Sequence, residues 1–518
     1  MADPLPPSPA AIALQSAINQ AIASKLPSYT IPSGSTNFYF GNMSLVLTNS
    51  ATQTPFTLYG NSSIFTFYPG WGVMIQYSNN LTVQDVTVAY SPSCFTQGVI
   101  VATNPSQNTV DVQIENNYPI PDPTVYAYFA TPEIKLQFYN NQTRLRLPDQ
   151  PGACLVNLVG NQGNNIYRVQ ERTNFGLYYP PVGTLVTLSP RIANSSYEVP
   201  NYYKGQVWTV YRSEFVVSRN IVLTGSGNFA ILEYGGNGNH VFDNIQLIRG
   251  NNGEALLSSN TDGFHSFSTG TGATIINSFF SWHGDDSMNF HNRVQLVLDP
   301  PSATTDGTVH VIDVGDVPSV EGGENSPARA FDDMVEGDTI KIFVAATGPS
   351  PLRGEYFVNA ISPITDPNTL ARARTVAANL PGVTVNPQAV AVWSIQLAGN
   401  NLNSIQPLDI IQFDRRSSMN GYIYNTTFTD AYDSCFRMQS SGTIVSNTQF
   451  IRQSYGISIT FDEGWLEGST DIANVGIINT TFREIGYPPA KTMNDILHIA
   501  YNVVNVTVSG NTVLPSEN

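Results

Sequence analysis

Apolar residues in this chain follow two periods. Residues 8–24 carry Ile12, Leu14, Ile18 and Ile22 at helical spacing, which predicts one amphipathic helix. After Pro27 the helical period gives way to alternation in 57–67 and 72–88, short strands separated by polar turns. A phrase then recurs: apolar, any residue, Asn or Asp, two residues, apolar. Its central residues Asn220, Asn244, Asn277, Asn425, Asn447, Asn479 and Asn511 are 24, 33, 148, 22, 32 and 32 residues apart. Most of these steps suit single coils of a solenoid, in which each coil pairs only with its neighbours and a stacked apolar column fills the core. The fold expected is all-β, a right-handed parallel β-helix capped by the N-terminal helix. Two stretches lack the phrase and read as antiparallel strands with Gly/Pro turns, predicting two β-barrel-like insertions, the second with a short helix near Thr369–Asn379. The expected order is 1–94 (helix cap and first coils), 95–212 (first insertion), 213–293 (coils), 294–412 (second insertion) and 413–518 (last coils).

Composition narrows the class. Charged residues make up 12% of the 518, about half the usual share of ~25%, and Asn, Ser, Thr, Gly and Tyr replace them. This suits an extracellular β-rich protein. The net charge of −16 argues against nucleic acid or an anionic membrane as partner. No basic run is visible for a strongly anionic polysaccharide, and no apolar run is long enough to span a bilayer. Sequons at Asn42, Asn61, Asn80, Asn141, Asn194, Asn425, Asn479 and Asn505 point to secretion and glycosylation; an Asn/Ser/Thr-rich chain also makes such triplets by chance. Cys94, Cys154 and Cys435 form neither a disulfide framework nor a metal site. A Cys94–Cys154 bridge stays open, and Cys435 reads as a buried small apolar residue. No cofactor or metal is expected, and a homodimer is left open.

The chemistry concentrates between Asn260 and Arg293. Asn-Thr-Asp-Gly-Phe-His (260–265) and Asp-Asp-Ser-Met-Asn (285–289) are strand entries 24 residues apart when Phe264 is matched with Met288. Asp262 then lies over Asp286 and His265 over Asn289, on parallel strands ~4.8 Å apart. Asp262, Asp285 and Asp286 would share one patch, and like charges in one patch push pKa values apart, so that one group serves as acid and another as base. Turn formation or Ca²⁺ binding explain such carboxylates as well. Stacking Phe436 and Met438, then Ile457 and Ile459, extends the outward column to Arg437 and Ser458, either a polar sugar-binding floor or a solvated strand face. His291 points outward by parity, and His283 precedes the turn as a candidate partner of the carboxylates.

Asn-Thr-Asp-Gly-Phe (260–264) followed by Gly-Asp-Asp (284–286) resembles the polygalacturonase signature of glycoside hydrolase family 28. The longer pattern resembles family 110, the α-1,3-galactosidases: Cys-Phe-Thr-Gln-Gly (94–98) opens an insertion, Asp-Asp-Ser-Met-Asn-Phe-His (285–291) precedes a second, and Gly-Trp-Leu-Glu-Gly (464–468) stands before a late coil. The resemblance implies a pectin-lyase-like solenoid and an inverting, galactosidase-like hydrolase of oligo- or polysaccharides. It makes Asp286 the acid, with Asp262 and Asp285 activating water. Inversion calls for an acid and a base roughly 6.5–9.5 Å apart.

Two departures bear on the substrate. Ser-Tyr-Gly (454–456) puts Tyr455 where family 28 has histidine, and the Arg-Ile-Lys clamp of that family is missing. Both favour a neutral galactose-type sugar over polygalacturonate. Family 110 members commonly carry an Arg-rich turn where Ala-Tyr-Asp-Ser (431–434) stands here, so Asp433 is a further departure. Trp465 is a candidate stacking platform, and Glu463 and Glu467 are candidate hydroxyl acceptors. Two other readings remain. A uronate lyase or epimerase needs Ca²⁺ or a Lys/Arg base beside the carboxylates, an arrangement the linear sequence does not display. A structural or glycan-binding β-helix would keep the scaffold without the activity.

Overall fold

The computed structural model describes the chain other than residues 1–4, 35–36, 50–53, 131–133, 148–153, 173–180, 191–205, 293, 305, 314–333, 345–351, 381–389, 414, 416, 463–465, 487–488, 501–502 and 516–518. The N-terminal helix runs Pro9–Ala23. The Ser8 hydroxyl caps it by accepting from the Ala11 N–H, and Ala11, Leu14, Ile18, Ala21 and Ile22 face the core. Ile12 was expected on that face, but it is 51% exposed: position 11 continues the 14–18–21 stripe and position 12 falls outside it.

Two parallel ladders organise the rest. One has nine strands in strict chain order, Leu45–Leu47, Val73–Gln76, Trp208–Tyr211, Ile231–Tyr234, Phe264–Phe267, Met288–His291, Ser434–Met438, Tyr455–Ile459 and Leu497–Ile499. The other takes the intervening strands, among them Val217–Thr224, Val241–Leu247, Thr274–Ile276, Tyr422–Tyr424, Ile444–Ser446 and Ala473–Ile478. The chain visits the two ladders alternately and returns one rung further along each time. Phe264 pairs with Met288 and His265 with Asn289, then Asn289 with Arg437 and Arg437 with Ser458, the register the repeat phrase predicts.

Between the ladders lies one apolar column. Its Phe280, Phe428, Phe450 and Phe482 rings stack with centroids 5.0, 5.2 and 5.5 Å apart. Asn220, Asn244, Asn277, Asn425, Asn447 and Asn479 all adopt left-handed backbone, φ 48–55°, at the corner of a coil. Asn tolerates this conformation because its short amide can bond locally. The amides also bond from coil to coil: Asn244 Nδ2 donates to Asn220 Oδ1 at 2.8 Å and Asn425 Nδ2 to Asn277 Oδ1 at 2.9 Å.

Two closed six-stranded antiparallel barrels interrupt the ladders, with strands between Thr96 and Pro190 and between Gln295 and Phe413. Each has its own core, around Val112, Leu136 and Val186 in the first and around Val311, Ile340 and Ile411 in the second. The short helix of the second barrel spans Pro367–Ala378, capped by Asp366. Cys94, Cys154 and Cys435 are buried free thiols, so the bridge left open by the sequence is not made. Among the described residues no helix is long and apolar enough to cross a membrane.

Candidate active site

The three predicted aspartates converge. One carboxylate oxygen from each of Asp262, Asp285 and Asp286 lies within 4.8 Å of the others. Parallel pairing brings them together, since the Gly263 N–H donates to Asp286 O and the Phe264 N–H to Ser287 O, both at 3.0 Å. Glycine is required at both turns. A Cβ on Gly284 would stand 2.5 Å from the Asn260 carbonyl oxygen, and one on Gly263 2.9 Å from the His283 ring. The oxygens sit closer than the separation expected for an inverting pair, because adjacent coils are one strand spacing apart.

The first barrel supplies a residue the sequence did not reveal. Lys135, on the strand Ile134–Tyr139, places Nζ 2.5 Å from Asp285 Oδ2. The same strand docks on the turn that carries Asp285: Gln137 Nε2 donates to Gly284 O at 2.8 Å, and the Tyr432 hydroxyl donates to Phe138 O at 2.7 Å. Asn260 ties down both ends of the barrel, its Nδ2 donating to Cys94 O at 3.1 Å and Pro190 O at 2.7 Å. A lysine in an otherwise uncharged strand, Ile-Lys-Leu-Gln-Phe, was the one available signal. The arrangement missing from the linear sequence, a cation beside the carboxylates, is therefore present. The carboxylate set could also hold a metal ion by its spacing, but the Lys135 ammonium already sits on Asp285 and would oppose a second cation there.

The four carboxylates of the site have unlike surroundings. Burial raises Asp286 well above the carboxylate range, and the charges of Asp433, Asp262 and Asp285 add to the rise while Arg437 opposes it. Its Oδ1 accepts the Ser434 N–H at 2.9 Å. Burial also raises Asp262, against a hydrogen bond from His265 Nδ1 at 2.7 Å. Asp433 is pushed up to about 7, first by burial and then by Asp285. Asp285 keeps 30% of its side chain exposed, whereas Asp262 and Asp286 are each only 4% exposed, so the shared patch opens to solvent on the Asp285 side.

The outward column is covered over its first rungs, which removes the solvated-face reading there, while Arg437 and Ser458 further along are half-buried. His265, Asn289 and His291 are all buried. His265 stacks on Phe229 with centroids 4.1 Å apart, and its Nε2 lies 2.8 Å from His291 Nε2. Asn289 Oδ1 has no partner among the described residues. Arg437 is engaged, with Nη2 2.5 Å from Asp462 Oδ2 and Nη1 3.8 Å from Glu467 Oε2, so Glu467 faces an arginine as well as any hydroxyl it would accept.

His283 is fully buried with no partner for either ring nitrogen among the described residues, and burial lowers it to about 3. The hydrogen bond to the carboxylates expected of His283 is therefore not made, and a neutral ring inside the coil is not open to a sugar either. Tyr455 is 57% exposed, and its N–H donates to the Asp433 carbonyl at 3.3 Å, which places its backbone beside Asp433. Glu463 and Trp465 lie outside the described residues.

No family model matches the chain, and no curated protein does. Solved structures similar to it include the endo-xylogalacturonan hydrolase from Aspergillus tubingensis, at 10% identity and TM-score 0.36, covering 96% of this chain and 88% of that one. A protein described as a glycoside hydrolase has 7% identity and TM-score 0.35, with 96% and 92% covered. The A-module of a mannuronan C-5 epimerase from Azotobacter vinelandii has 8% identity and TM-score 0.29, with 100% and 96% covered. Likenesses of this size carry no functional weight, which rests on the site itself.

Proposed function

We propose that the protein is a glycoside hydrolase that cleaves a galactose-type glycosidic bond with inversion, on a coil stack of the right-handed parallel β-helix, pectin-lyase-like kind. The observation that carries this reading is the contrast among neighbouring carboxylates: Asp286 is pushed toward its protonated form while Asp285, a few ångströms away, is paired with Lys135. Such a contrast separates an acid from a base in one site. Asp286 protonates the leaving oxygen. Asp262 and Asp285 accept hydrogen bonds from one water, which two oxygens up to 4.8 Å apart can share at ~2.8 Å each. The galactose preference and the inversion come from the family resemblance.

The test is turnover on a panel of galactosides with the anomer of the first product read by proton NMR. Asp286→Asn keeps the shape and removes the proton, so turnover should fall at least ~100-fold. A retained anomer would replace the water route by a covalent one, which the short carboxylate spacing would also accommodate. Absence of turnover on any glycoside would return the protein to the structural or glycan-binding reading.

Lys135 favours one second reading, a uronate lyase, because it supplies a basic side chain beside the carboxylates. An unsaturated product absorbing in the ultraviolet would establish it over hydrolysis. Secretion is part of the proposal, resting on composition. The sequons support it less than their number suggests: Asn61, Asn80, Asn425, Asn479 and Asn505 all hold left-handed turn positions that select Asn for its backbone. A mass shift on N-glycosidase treatment of natively expressed protein would support secretion, and no shift would count against it.

A further inference from the structure

Three arginines from two separate parts of the sequence gather near Tyr139, beside the turn that leads to the aspartates. Arg144 and Arg146 come from the segment that follows Tyr139 in the first barrel, and Arg249 from the loop after the strand Val241–Leu247. Arg146 lies over the Tyr432 ring, 5.4 Å from its centroid, and donates to the Ser454 hydroxyl. Arg249 lies over the Trp282 ring at 4.0 Å, in a groove of about 480 Å³ lined also by Thr224, Asn251, Asn252 and Phe279. That volume falls in the range of small-ligand sites. Phe279 is 38% exposed and gives the groove an apolar wall.

Stacking on Trp282 holds the guanidinium plane and so sets the direction of its N–H fork. The Arg249 Nη1 is buried with no hydrogen-bond partner among the described residues, and so is the Arg144 Nε. Burial, and then the charge of Arg144, lower the proton affinity of Arg249 further than Asp430, Tyr139 and Glu254 raise it.

The nearby acids are partly committed elsewhere. Asp430 bonds Arg452 at 2.6 Å, and Glu115 lies 3.8 Å from Arg144 Nη1. Arg144 Nη2 also donates to Glu254 O at 2.6 Å, and the Glu254 charge favours ionised Arg249. A buried N–H of a charged group without an acceptor is costly, and an incoming oxyanion would supply two acceptors to a planar fork. Trp282 precedes Asp285 by three residues, so the groove lies at most ~11 Å of chain from the carboxylates.

We propose that the Arg249–Trp282 groove is a subsite for an anionic substituent, a carboxylate or a sulfate ester, on a sugar residue next to the bond that is cut. The proposal rests on the carbohydrate reading and extends it, since the basic patch missing from the linear sequence is assembled by the fold.

Ligand-observed saturation-transfer NMR tests it with methyl galactoside, methyl galacturonide and galactose 6-sulfate on wild-type protein, Arg249→Met and Arg144→Met. At least one acidic probe should bind wild type and weaken about ten- to a hundred-fold in Arg249→Met, with a smaller loss in Arg144→Met. Added salt should weaken it too. Binding of only one acidic probe names the substituent. Failure of both acidic probes to bind overturns the subsite whatever the neutral glycoside does, as does acidic binding that ignores both substitutions in folded variants. Binding of the neutral glycoside that needs Asp262 and Asp286 reports separately on the cleavage site.

Discussion

Glu233 offers a sharp test of the electrostatics inside the coil stack. Its register partner is Ser266, one rung on from it and next to His265 in the chain, and the side chain is 0% exposed. Oε2 accepts the Ser266 hydroxyl at 2.6 Å, and Oε1 faces His240 Nε2 at 3.9 Å. His240 Nδ1 accepts the Val216 N–H at 3.1 Å, which leaves the proton on Nε2; burial lowers His240 to about 3, so the ring stays neutral over the range that matters. Burial raises Glu233 from 4.5 to about 8. The folded protein thus holds a proton that the unfolded chain releases. That contribution to stability is fully present below pH 4.5 and is lost as the pH rises through about 8.

A shift of that size corresponds to ~5 kcal/mol at ~1.4 kcal/mol per unit. Glu233→Gln reproduces the protonated shape and removes the titration. Melting midpoints of variant and wild type should nearly coincide at pH 4.5 and separate toward pH 8, the variant melting higher by ~5 °C for a cooperative unit of this length. Subtracting wild type from variant cancels Asp286 and Asp433, which titrate in both. A difference that does not change with pH would refute the reasoning, because it would mean that Glu233 is charged, or solvated, in the folded protein.

Other consequences follow from the site. Lys135→Met should lower turnover and move the acidic limb of the rate profile to higher pH, because Asp285 loses its cation; Lys135→Arg should restore part of the rate. Asp433→Asn removes the first charged neighbour that raises Asp286, so the alkaline limb should move to lower pH in a rate profile on the best substrate. Asn260→Ala strips donors from the buried Cys94 and Pro190 carbonyls and should cost ~2–4 kcal/mol in denaturant unfolding, with the first barrel becoming more open to proteolysis.

Much of this protein is legible from spacing alone. A coil must bring an apolar residue and a left-handed corner back to the same place on every circuit, so both recur at fixed intervals. The Asn ladder, the Phe264–Met288 register and the pairing of Asp262 with the Asp286 coil are visible in the order of residues for that reason. Local pattern also marks the N-terminal helix, although one residue of helical phase decides that Ala11 rather than Ile12 is buried. Barrel strands pair at separations set by loop length, and no period announces them. Lys135 therefore meets Asp285 across 150 residues with nothing in the sequence to say so, and Arg144 reaches the neighbourhood of Arg249 in the same way. Burial is likewise a property of what covers a strand. The parity that sends His265, Asn289 and His291 outward is local, but only the tertiary structure places a roof over them, seals His283 inside the coil and raises the pKa of Asp286.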